Sequence, residues 1–208
     1  MQKLLTFLFI LLISLSIFSC KNEGKDSKNV APEKVMVDTV AKIPTKRAQK
    51  KDLTEQDIAE IKSVMSKMMT EPQLKKYTSY VVTAEIADQL TNEEGPYTVF
   101  APSNNAIDKI DSIILKDYSK SENKAKLVEM LSSHIIVSKM DSETLMQKVA
   151  KSGKIKLKTL AGNTLTATKS GEQIIISDGK GTRATILKGS IDGSNGVIYV
   201  IDGVFGTN

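Results

Sequence analysis

Tryptophan is absent from this 208-residue chain, and histidine and cysteine occur once each, as His134 and Cys20. One imidazole and one thiol cannot furnish a structural zinc site, and a lone cysteine closes no disulfide within the chain. With 40% hydrophobic and 25% charged residues, five Pro and twelve Gly, the composition excludes a wholly disordered chain, a collagen and a polytopic membrane protein. An excess of positive charge is also missing from the part that can fold. The net charge of +5 resides in residues 21–51, where nine Lys and Arg face four acids, whereas residues 52–208 hold nineteen basic and twenty acidic side chains. A basic tail on a near-neutral domain is not the extended footprint that nucleic acid requires, and nucleic acid is excluded as a partner.

What is present begins with an address. Lys3 is the only charge before Cys20, and the apolar run from Leu4 to Phe18 is too short and wrongly flanked for a membrane span, so residues 1–19 read as a cleaved export signal. Ser16-Ile17-Phe18-Ser19-Cys20 resembles the lipobox of bacterial lipoproteins. A diacylglycerol thioether on Cys20 would add about 0.8 kcal/mol of membrane affinity per buried methylene. Residues 20–52 then form a lipidated Cys and a flexible basic tether, with a root-mean-square reach of roughly 30 Å and a taut limit of about 110 Å. The expected location is the bacterial cell envelope, lipid-anchored. Lys21-Asn22-Glu23 resembles the export tags of some surface lipoproteins, which leaves the periplasmic and outer-surface orientations both open.

The domain occupies residues 53–208. Thr54 is read as the cap of a helix that carries Ile58, Ile61, Val64, Met65 and Met68 on one face, and Leu74, Tyr77, Val81, Ala84 and Leu90 continue at broadly helical spacing. Ser103 is read as the cap for Ile107, Ile110, Ile113 and Ile114. Further helices are expected around Ala125, Val128 and Leu131, and around Leu145, Met146 and Val149. Thr98 to Ala101 is an early short strand. Beyond residue 153 the period falls to two, giving strands at 154–159, 164–168, 173–177, 183–187 and 196–202 between Gly-containing turns. Val197, Tyr199 and Ile201 share one face of the last strand, Ile198 and Val200 the other, so that strand is central. Helices first and mostly antiparallel strands later make an α+β domain.

Two long motifs in order then carry a resemblance. Gly95-Pro96-Tyr97-Thr98-Val99-Phe100-Ala101-Pro102-Ser103-Asn104-Asn105-Ala106 resembles the first signature of fasciclin (FAS1) domains, and Asn195-Gly196-Val197-Ile198-Tyr199-Val200-Ile201-Asp202-Gly203-Val204 resembles the second. His134 sits where the family has a Tyr-His dipeptide, here with Ser133 in place of Tyr, and Thr159-Leu160-Ala161-Gly162 resembles a further family segment. The resemblance covers roughly residues 54–206. It implies a FAS1-like wedge of two small sheets, about seven strands, surrounded by helices. It also implies a non-catalytic surface module for extracellular or envelope proteins or glycans, with no cofactor. Because Ser133 replaces the Tyr, receptor binding of the animal kind is not carried over.

Within the motifs, Ser103 is expected to cap a helix, Asn195-Gly196 to form a turn, and Asp202 to fasten a backbone turn. His134 is read as an internal hydrogen-bonding residue, with partner contact as the alternative. A Ser-His-Asp hydrolase lacks a G-x-S-x-G elbow around Ser103, Ser132 or Ser133. The segment from Asp192 opens like a calcium loop but has Gly203 at the twelfth position. Lys154, Lys156 and Lys158 recur on one face of a strand at roughly 6.6 Å intervals. That comb suits an anionic glycan, or else protects an edge strand from pairing. A second class of function, carriage of a small lipophilic ligand such as a carotenoid, stands beside the adhesion reading; five Phe and five Tyr, three of the Phe in the signal, give it little support.

Overall fold

The computed structural model describes residues 52–93 and 95–207. The signal 1–19, Cys20 and the tether as far as residue 51 lie outside the described residues.

Helix formation follows the caps more closely than the apolar periodicity. Thr54 opens α1 (Glu55–Ile61) with a capping box, its hydroxyl accepting from the Asp57 N–H while its own N–H donates to the Asp57 carboxylate. The helix does not run on through Met68. It stops at Lys62, and Ser63 caps a separate α2 (Val64–Thr70). Ile58 and Ile61 are 39% and 58% exposed while Val64, Met65 and Met68 are buried, so the inward face belongs to α2 alone. The break has a tertiary cause: the Lys62 carbonyl accepts from the Ser194 N–H, and the Val64 N–H donates to Asn195 Oδ1. A continuous helix would have consumed both groups internally.

The stretch from Leu74 to Leu90 is likewise divided, into a 3-10 turn (Pro72–Leu74), α3 (Lys75–Thr83) and α4 (Ala87–Asn92). Between the last two, Glu85 has φ +61°; its N–H donates to the Val82 carbonyl and the Ile86 N–H to that of Val81. These are the paired closing bonds of a Schellman turn, with Glu where Gly is usual. Ser103 caps only α5 (Asn104–Ile107), and Asp111 caps α6 (Ser112–Tyr118), which leaves Ile113 73% exposed. In α7 (Lys124–Ser132) the buried residues are Leu127, Met130, Leu131 and Ser132, while Ala125 faces solvent. α8 (Ser142–Ser152), capped by Asp141, buries Leu145 and Val149 and leaves Met146 exposed.

Seven strands complete the α+β architecture: β1 (Tyr97–Pro102), β2 (Ile135–Ile136), β3 (Lys154–Lys158), β4 (Thr164–Ser170), β5 (Gln173–Ser177), β6 (Arg183–Gly193) and β7 (Gly196–Ile201). Their order is β2-β1-β7-β6-β5-β4-β3, all antiparallel except the β1–β7 pair. β6 runs well past the expected end at Leu187, because its first residues pair with β5 and the remainder with β7. It thereby belongs to both sheets, and register shifts between Ile186 and Ile191 bend it. A bridge from Ile136 to Thr159 brings the chain after β3 back to β2 and nearly closes the sheet into a barrel.

Every residue of β1 and β7 is buried. Alternation therefore feeds two cores. Val99, Ala101, Ile198 and Val200 pack with Val64, Met68, Tyr77 and Leu131 of the helices. Phe100, Val197, Tyr199 and Ile201 point to the other side, among Leu157, Leu165, Ile176 and Phe205, where Phe100 and Tyr199 stack at 5.4 Å.

Truncating Ile198, fully buried in β7, should cost about 2–5 kcal/mol. Denaturant melts of Ile198→Ala read this directly, and a loss below about 1 kcal/mol would place β7 at the periphery. Glu85→Gly should act oppositely, stabilising by about 0.5–1 kcal/mol as the left-handed conformation ceases to strain a side chain. The same melts would show an unchanged or lower midpoint if that turn were unstrained.

Candidate functional site

The signature residues converge on the β1–β7 pair, and the structure spends them on holding it. Ser103 accepts from the Ala106 N–H at the start of α5, and its own N–H donates to the Ile201 carbonyl of β7. Asn104 reaches the opposite way: its Oδ1 accepts from the Lys76 N–H and its Nδ2 donates to the Pro72 carbonyl. It caps α3 from a distance, where that helix has no side-chain cap of its own. The Thr98 hydroxyl donates to the Ser138 carbonyl at 2.5 Å and accepts from the Met140 N–H at 2.9 Å, fixing the segment that leads into α8.

Asn195 does more than turn the chain. Buried at the β6–β7 turn, it accepts from the Val64 N–H and donates to the Leu90 and Glu93 carbonyls, tying the start of α2 and the end of α4 to the hairpin. Gly196 follows because a Cβ there would collide with the Tyr97 carbonyl of β1. Asp202 does not fasten a local turn. Its carboxylate accepts from the Thr185 N–H at 2.6 Å and its N–H donates to the Thr185 carbonyl at 3.2 Å, so it clamps the end of β7 to β6.

His134, wholly buried between α7 and β2, lies between Tyr77 of the helical-side core and Phe205 of the other. Nδ1 stands 2.9 Å from the Met130 carbonyl and must donate to it, while Nε2 accepts from the Phe205 N–H at 3.0 Å. The main chain thus assigns the neutral tautomer. The ring stacks on Phe205 at 5.1 Å and meets Tyr77 edge-on at 5.7 Å. Burial lowers its pKa to about 4, against the smaller upward pull of the Met130 carbonyl. With both nitrogens engaged, the imidazole is not placed as a base for Ser103, Ser132 or Ser133. Ser133 is instead held by the Glu129 carbonyl and the Asn163 amide. Among the described residues no group of three or more His, Cys, Asp and Glu side chains is arranged to hold a metal.

The chemistry left free is on the surface. Lys154, Lys156 and Lys158 are exposed on β3, which ends the sheet order. Cys20 falls outside the described residues. Two further features were not anticipated. An open groove of about 480 Å³ lies beside α6, lined by Ile113, Ile114 and Tyr118 and edged by Lys116, Lys120 and Lys126. Arg183, at the start of β6, faces solvent in the same sheet as the three lysines. Strand alternation in the Arg183–Leu187 segment contained that signal, but only the cross-strand register places it.

A Fasciclin domain model matches residues 72–207. Protein sll1483 of Synechocystis sp. is 33% identical over 132 residues, covering 62% of this chain and 66% of that protein. Periostin of Homo sapiens is 28% identical over 142 residues, 68% of this chain and 15% of its own length. Transforming growth factor-beta-induced protein ig-h3 of Sus scrofa is 31% identical over 121 residues, which is 16% of its length. The chain therefore spans just under two thirds of the first of these relatives and about a sixth of the other two. Among solved structures, a FAS1 domain pair from the insect cell adhesion molecule Fasciclin I superposes with a TM-score of 0.62 at 17% identity, over 69% of this chain and 50% of that one. That likeness is one of fold.

The neutral state of His134 has a pH signature. Unfolded, the ring takes up a proton near 6.5; folded, it resists down to about 4. Its contribution to stability is full above about pH 6.5 and falls by up to about 3 kcal/mol as the pH drops to 4, because the unfolded state binds the extra proton in that window. Since the chain has one histidine, its imidazole resonance in NMR is unambiguous. It should stay neutral at pH 5.5, and titration near 6.5 would contradict the buried geometry.

Proposed function

Because the chain belongs to the fasciclin domain family, we propose that it is a non-catalytic adhesion or interaction module, exported and held at the bacterial cell envelope by a lipid on Cys20. The observation that carries this reading is the inward direction of the signature chemistry. Ser103, Asn104, Asn195, Asp202 and His134 all spend their polar atoms on the fold itself. Activity therefore belongs to the solvated exterior, as in a binding module presented to proteins or glycans. The name of the insect relative, a cell adhesion molecule, agrees with that use.

The anchor rests on the lipobox-like Ser16 to Cys20 segment, and the tether of residues 21–52 would hold the domain clear of the bilayer while keeping it within roughly 30 Å on average. A single acyl chain binds only marginally, and the several chains of a bacterial lipoprotein make the anchor firm.

Replacing Cys20→Ala should release the protein from the membrane fraction and abolish fatty-acid labelling. A variant that stays membrane-bound with the same label would refute the anchor. Deleting the protein should reduce attachment of the cells to protein- or glycan-coated surfaces, and indifference to deletion would refute the module. Protease shaving of intact cells then assigns the periplasmic or outer face.

A further inference from the structure

We propose that the solvent face of the β3–β6 sheet binds an extended anionic polysaccharide, sulfated or carboxylated, through Lys154, Lys156, Lys158 and Arg183. This names the partner class of the interaction module and rests on that reading.

The register builds the face. Lys156 lies opposite Thr166, Thr166 opposite Ser177, and Ser177 opposite Arg183, so one row of side chains crosses all four strands on the same side. Lys154 and Lys158 flank that row, opposite Thr168 and Thr164. The residues between them, Leu157, Leu165, Ala167, Ile176 and Ala184, point into the core. From strand geometry, neighbouring lysines stand roughly 6.6 Å apart along β3, and Arg183 stands about 14 Å across the sheet from Lys156. Lysines closer than the Debye length of about 8–10 Å add their fields in physiological salt. The threonine hydroxyls between the cations both donate and accept, which suits the hydroxyl and ring oxygens of a sugar chain.

Charge segregation separates this from an ordinary solvated sheet. Acids slightly outnumber bases over residues 52–208, yet these rows carry four cations and no carboxylate. The neighbouring acids are Glu172, in the turn between β4 and β5, Asp178, whose carboxylate is engaged by the Lys180 and Thr182 N–H groups, and Asp202, whose carboxylate is engaged by the Thr185 N–H. None of the ion pairs among the described residues draws on the four cations. Edge protection accounts for lysines on β3, which ends the sheet order. It does not reach Arg183, which stands at the start of β6, an inner strand of the order, opposite Ser177 of β5. A ligand that crosses the strands does.

Heparin is the probe, immobilised, with the full chain in neutral detergent. The parent should be retained at low ionic strength and released steeply as salt rises. The quadruple variant with Gln at 154, 156, 158 and 183 should lose affinity by at least about tenfold, and Arg183→Gln alone by about threefold, for the loss of four charges and of one. Thermal melts of both should match the parent. A variant with Gln in place of Lys42, Lys46, Lys50 and Lys51 reports the tether and should keep most of the affinity. Equal retention of parent and quadruple variant, a silent Arg183→Gln, or a loss confined to the tether variant would each overturn the proposal. The module itself is read separately, in cells lacking the protein. A quadruple variant that fails on heparin but fully restores adhesion refutes this partner and leaves the module standing.

Discussion

The parallel pairing of Tyr97–Pro102 with Gly196–Ile201 is the constraint around which the other elements are placed. The two strands are far apart in sequence, so their contact closes a long loop, and the closure is offset by burying both faces of both strands. Burial on both faces demands two separate coverings. The helices of residues 64–131 supply one, and the later strands curl round to supply the other. The close approach of Gly196 to the Tyr97 main chain is part of the same constraint, since any side chain at 196 would force the strands apart. Asn195 then converts this register into an overall arrangement by satisfying helix-end groups that would otherwise be buried without partners.

His134 extends that logic to the second end of the core. Its ring joins the end of α7 to the C-terminal segment at Phe205, and it does so without a charge. A charged imidazole there would need an acceptor at Nε2, where the structure offers a donor. A buried polar group satisfied by main-chain atoms on both sides specifies position as well as stability. Thr98 plays the same part for the stretch from Ser138 to Met140, which has no regular hydrogen bonding of its own. The polar residues of the two signatures thus fasten irregular segments, while the apolar ones fill the strands.

This division explains what was legible in the amino-acid sequence. Six of the seven strands, the central position of Val197–Ile201 and the caps at Thr54 and Ser103 depend on local alternation or on side chains near their targets and could be read, whereas β2, only two residues long, has no alternation to show. Helix continuity could not. The Ile58–Met68 periodicity is uninterrupted, and the break at Ser63 comes from the turn at Ser194 and Asn195, distant in sequence. Glu85 in a left-handed turn was hidden because Gly is the usual signal there. Asn195 and Asp202 looked like local turn residues, since nothing nearby reveals Val64, Leu90 or Thr185 as their partners. On the surface, the lysine comb was visible as a strand pattern, whereas the place of Arg183 required the register of three intervening pairings.

Two basic regions therefore differ in kind. The excess charge of residues 21–51 lies on a segment of low hydrophobicity whose sequence carries no strand or helix period. The cations of the β3–β6 face have their backbone positions set by ladders already formed, so only side-chain freedom is lost on contact. A fixed backbone also fixes spacing, and spacing is what lets a surface distinguish one repeating anion from another. Net charge alone attracts any polyanion, whereas selection among polyanions needs the fixed spacing that the sheet supplies.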